Sequence, residues 1–97
     1  MAETPQPQQL QINLDEETAQ GTYCNLALLS HGESEFTFDF IYVQPQQPKA
    51  KVRARIITNP AHAKRLAAVL AENIARYEAR FGEIKLQSPP PEILPRH

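Results

Sequence analysis

The 97-residue chain reads as an α+β domain: an antiparallel sheet of about four strands packed on one long C-terminal helix, in two layers. Three observations lead to that class. "EFTFDFIYV" alternates strictly, with Phe36, Phe38, Phe40 and Tyr42 on one face and Thr37, Asp39, Ile41 and Val43 on the other. Ala63, Leu66, Ala67, Leu70, Ile74, Tyr77 and Phe81 recur at spacings of three and four, which is the stripe of an amphipathic helix. Punctuation then brackets that stripe, with Asn59-Pro60 before it and Gly82 after it.

The elements follow in order. Residues 1–9, rich in Gln and Pro, form a disordered lead-in. "LQINL" alternates Leu10, Ile12 and Leu14 and predicts a short half-buried strand. "DEETAQG" interrupts it. "TYCNLALLS" predicts a second strand, apolar on both faces, ended by the turn residues of "HGES". After the 36–43 strand, "QPQQPKA" is a proline-punctuated loop leading to "KVRARII", where Val52, Ala54 and Ile56 alternate with Arg53, Arg55 and Ile57. Centring the hairpin on that loop places Phe40 opposite Ala54 and Asp39 opposite Arg55. Asn59 is a strong N-cap, and Pro60 at the first helical position has no N–H to leave unbonded. Arg76 and Arg80 suit the negative end of the helix dipole, and Gly82 is a natural terminator. The expected organisation is one domain over residues 10–85, followed by a Pro-rich flexible tail, 86–97.

Composition narrows the function classes. The chain has no basic and apolar leader at its start and no apolar run long enough to span a bilayer, so a cytoplasmic protein is expected. Cys24 is the only cysteine, which excludes an internal disulfide and a multi-cysteine metal site. No cofactor, metal site or catalytic set is expected. His31 lies in a turn beside Glu33 and Glu35, His62 sits at a helix start, and His97 ends a tail. Cys24 reads as a small buried hydrophobe, and three isolated glycines cannot build a phosphate loop.

Charge is segregated despite a net value of −1. Residues 1–48 contain no Lys or Arg, whereas all ten lie in residues 49–97. Lys49, Lys51, Arg53, Arg55, Lys64 and Arg65 occupy a stretch without a single acid. Arg53, Arg55, Lys64 and Arg65 are therefore the candidate site for an anion or an acidic partner. Against nucleic acid stands a pI of about 6.3, far from the basic footprint of such domains. Asp39, set mid-strand among apolar neighbours, is costly without a partner, and Arg55 is the candidate for a structural ion pair. Leu26, Leu28, Ile41, Val43 and Ile57 make an apolar sheet face that the single helix leaves uncovered, which marks them as a candidate oligomer face.

Several spaced motifs carry a resemblance. They are Tyr23-x-Asn25, Phe36-x-x-Asp39-Phe40, Arg55-Ile56-Ile57, Asn59-Pro60-x-His62-Ala63-Lys64-Arg65-Leu66 and Asn73-x-x-x-Tyr77-Glu78-x-x-Phe81-Gly82-x-Ile84. Over roughly residues 10–85 the chain resembles a family of short bacterial proteins classed only as a domain of unknown function. Cys24 and the long tails stand outside that pattern. The resemblance implies a compact sheet-plus-helix protein and supplies no catalytic residues. By architecture alone, the chain is also similar to the bacterial export chaperone with a tetrameric β-sheet body.

The expected function is thus a non-catalytic homodimeric module that acts through protein contacts. Anion or nucleic-acid binding through the basic patch is the alternative, and chaperone-like binding of extended chains is a weaker one.

Overall fold

A computed structural model of the chain describes residues 9–86. Five elements follow in order: α1 (Glu16–Ala19), β1 (Leu26–His31), β2 (Phe36–Val43), β3 (Ala50–Thr58) and α2 (Pro60–Phe81). The strands form one antiparallel three-stranded sheet in the order β1-β2-β3. The described residues divide into two compact units, 9–29 with 38–56 and 30–37 with 57–86. The expected tails, 1–9 and 86–97, fall almost wholly outside the described residues.

In the first unit, β2 supplies both buried side chains among the described residues, Phe38 at 6% exposure and Ile41 at 5%. Their odd separation puts them on opposite faces of the pleat. Phe40 leans edge-on to Phe38, with ring centroids 6.3 Å apart, as the same-face spacing of two requires. Tyr23 makes a similar edge contact with Tyr42 at 6.2 Å.

The sheet has three strands where four were expected. Leu10, Ile12 and Leu14 lie in irregular chain and are exposed, Ile12 to 88%. Alternation makes a segment suitable for a sheet, but only a neighbouring ladder makes it a strand. Here Asp15 takes the chain into a helix instead: the Thr18 N–H donates to Asp15 Oδ1 at 2.8 Å and caps α1.

β1 also starts later than "TYCNLALLS" suggests. The Asn25 carboxamide accepts from the Val43 N–H at 2.8 Å and donates to the Val43 carbonyl at 3.0 Å. A side-chain amide thereby occupies the place of a peptide group, and Leu26 is the first ladder residue. The backbone N–H of Asn25 meanwhile donates to the Ile41 carbonyl at 3.0 Å.

In the second unit, a turn closes with the Gly32 N–H donating to the Glu35 carbonyl at 2.9 Å, and His31 stacks on Phe36 at 5.4 Å. The 22-residue helix α2, roughly 33 Å long, starts and stops at its punctuation marks. Asn59 Oδ1 accepts from the His62 N–H at 2.7 Å, and Pro60 opens the helix. Gly82 ends it at φ 100°, ψ 166°, a region that L-residues with a Cβ avoid. Its N–H donates to the Glu78 carbonyl, and the Glu78 carboxylate reaches past it to accept from the Ile84 N–H at 2.9 Å. One glutamate thus supplies both acceptors for the chain's exit. Among the described residues no helix is long and apolar enough to cross a membrane.

Two substitutions test these ends by chemical denaturation. Asn59→Ala is expected to cost about 1 kcal/mol through loss of the cap. Gly82→Ala is expected to cost about 1–3 kcal/mol through backbone strain alone, because a Cβ there meets nothing within 4 Å. An unchanged midpoint in either variant would contradict the corresponding assignment.

Candidate functional site

Helix α2 is built to bury one side. Leu66, Leu70, Ile74, Tyr77 and Phe81 repeat along it with helical spacing, and Val69 widens the stripe. Polar contacts support the helix: Arg76 pairs with Glu72 at 2.7 Å one turn away, beside the stripe, and Asn73 Nδ2, between Val69 and Tyr77, donates to the Val69 carbonyl at 2.9 Å. At the C-terminal end, the Tyr77 and Phe81 rings lie 5.0 Å apart, and the Arg80 guanidinium sits 5.2 Å above the Phe81 ring. Yet no residue of α2 is buried, and Leu70 and Phe81 are 57% and 66% exposed. The large apolar side chains of the stripe are therefore exposed to solvent.

The sheet residues expected on an open face divide among themselves. Ile41 is buried, and Leu26 and Val43 are half-buried, so the single chain already covers them in part. Leu28 and Ile57 are exposed. Val52 and Ile56 of β3 and Leu29 of β1 are exposed as well, and alternation alone did not single them out for contact.

Asp39 and Arg55 sit in the first unit as a two-point pair. Arg55 Nε donates to Oδ1 at 2.7 Å and Nη2 to Oδ2 at 2.9 Å. The Asp39 side chain is only 14% exposed, the Arg55 side chain 62%. The guanidinium hydrogen bonds hold the Asp39 carboxyl below the ordinary aspartate range, against an opposing push from partial burial. The same contact raises the Arg55 pKa.

That pairing subtracts from the basic cluster. Arg55 is committed to Asp39, and the remaining bases are divided, with Arg53 in the first unit and Lys64 and Arg65 in the second. His62 contributes its backbone N–H to the Asn59 cap, and His31 lies flat on Phe36, so both act locally in the fold. Cys24 is a free, half-buried thiol. His97 lies outside the described residues. Among the described residues no three His, Cys, Asp or Glu side chains gather as a metal set would require. A shallow surface hollow is lined by Tyr42 of β2 and by Gln44, Pro45, Gln46 and Gln47 of the β2–β3 loop, none of them charged.

Two contributors were not legible beforehand. The Asn25 clamp on Val43 spans 18 residues, and its only sequence sign is a polar side chain at the edge of an apolar run. The Glu78 hook had a better sign, an acid three residues before the Phe81-Gly82 terminus.

The ion pair yields a pH prediction. Because the folded pKa of Asp39 lies below its unfolded value, the stability it contributes is full above the unfolded value, about 4, and is lost as pH falls through the lower folded one. Thermal melts of the wild type and Asp39→Asn should differ most near pH 7. The gap should begin to narrow below about pH 4 and close only once the pH has fallen through the lowered pKa of the folded state, where the native carboxylate takes up its proton. Equal melting temperatures at pH 7 would remove Asp39 from the stabilising set.

The same motifs that shape these contacts extend over most of the chain. No curated protein and no solved structure is measurably similar to it. One family model does match, over residues 1–86, described as a protein of unknown function, DUF3467. With the clamp, the ion pair and the helix ends all inside the matched region, the chain belongs to the DUF3467 family.

Proposed function

We propose that this DUF3467 chain is a non-catalytic interaction module that functions as a homodimer and acts through protein contacts. One observation carries the reading: a 22-residue helix with a continuous apolar stripe and no buried residue. Exposed apolar surface on that scale marks an interface, because leaving it in water forfeits the main driving force for folding. A second copy is the simplest cover, since association through a twofold axis buries the same patch on both subunits at once. The commitment of Arg55 to Asp39 favours a structural use of that charge over anion capture. A sheet packed on α2 in two layers, as the apolar faces suggest, belongs to the same assembled state.

Light scattering with serial dilution tests the proposal. A mass of twice the chain is expected at micromolar concentration, with helix content and melting temperature falling together on dilution. A cooperative melt from a strict monomer would overturn it. Leu70→Ala gives the energetic version: an exposed site tolerates the change to within about 0.5 kcal/mol, whereas a stripe covered by a partner should lose about 2–3 kcal/mol. Binding to mixed-sequence RNA at low salt, abolished by removing the charges of Arg53, Lys64 and Arg65, would instead favour a polyanion site.

A further inference from the structure

The sheet order leaves two open edges, β1 and β3, and their sequences differ sharply. An exposed edge presents unpaired N–H and C=O groups and invites another strand, so natural edges are blunted by charge, proline, bulges or cover. β3 is blunted by Lys51, Arg53 and Arg55. Pairing β3 with itself about Ala54 would bring Arg53 against Arg55 of the second copy, a repulsive contact. β1 reads "LALLSH", with no charged residue among Lys, Arg, Asp and Glu, and no proline. Among the described residues, none of the loop or side-chain hydrogen bonds goes to Leu26–His31. Leu29 on this strand is 63% exposed.

We infer that the β1 edge pairs antiparallel with the β1 edge of a second copy across a twofold axis, joining the two sheets into one. This rests on the homodimer reading and assigns it a specific contact. The edge is self-complementary because it has no charge to repel its own image. The nearest acids do not spoil the fit. In a pairing centred on Leu29, Glu33 lies beside Asn25 of the second copy, and the two Glu33 residues stand about 27 Å apart along the strand. Main-chain hydrogen bonds supply the attraction, and the leucines of β1 supply apolar cover on the faces.

Amide hydrogen exchange at residue resolution, run beside the mass measurement, tests the inference. In a single chain, alternate amides of β1 face outward and exchange freely, while the others are held by β2. At dimer concentration every interior β1 amide should be protected, and alternate ones should become fast on dilution to monomer. A twofold mass with alternate β1 amides still fast would overturn the edge pairing and leave the homodimer standing. A strict monomer would overturn both. Leu29→Lys sets like charges close across the axis and should weaken dimerisation more than about tenfold. Its far-ultraviolet circular dichroism at high concentration should stay unchanged. A variant that dimerises as well as the wild type would count against the pairing, and if it fails to fold, the exchange pattern of the wild type decides.

Discussion

Everything in the first unit depends on β2 being the one strand bonded on both sides. That position explains why the two buried side chains, Phe38 and Ile41, both belong to it and lie on opposite faces. A central strand is screened from water by its neighbours' backbones and side chains, whereas β1 and β3 each keep one edge and most of their side chains in solvent. Among the described residues only these two are buried, a small core when burial must offset the conformational entropy of ordering the chain. Much apolar surface remains exposed, six large apolar side chains of α2 among it.

Around β2, polar contacts fix position more than they add energy. Asn25 substitutes its side-chain amide for a peptide group at Val43, so the ladder of β1 ends at a defined residue without an unpaired carbonyl. Asp39, on the same face as Ile41, is held by two hydrogen bonds from Arg55 on the next strand. A one-residue slip of β3 against β2 would break that two-point contact and turn the side chains of β3 to the other face of the sheet. Charge and hydrophobic pattern therefore select the same register, the consistency expected of a sequence that specifies one structure.

The spaced motifs of the sequence resolve into structural jobs. Tyr23-x-Asn25 packs on Tyr42 and clamps Val43, Asp39 holds Arg55, Asn59-Pro60 starts α2, and Glu78 with Gly82 and Ile84 ends it. Three basic residues of the cluster make no such contact among the described residues. Arg53, Lys64 and Arg65 are exposed, and β3 gains from its bases a protected edge that β1 lacks. The asymmetry between the two edges is thus a consequence of the same charge segregation that is visible in the composition.

The amino-acid sequence alone determined what depends on neighbours within about four residues. The start of α2 at Asn59-Pro60 and its stop at Gly82 follow from local hydrogen bonds and backbone preference, and the alternation of 36–43 needed only a pleat to express it. Tertiary structure decided what depends on a partner far along the chain. "LQINL" has a strand's pattern but no ladder beside it, so Leu10, Ile12 and Leu14 stay in water. Asn25 finds Val43 across 18 residues, which no spacing rule anticipates. The apolar stripe of α2 was readable residue by residue, but periodicity states only that a face wants to be buried. What covers it is settled by whichever surface comes to meet it, and that information lies outside the helix.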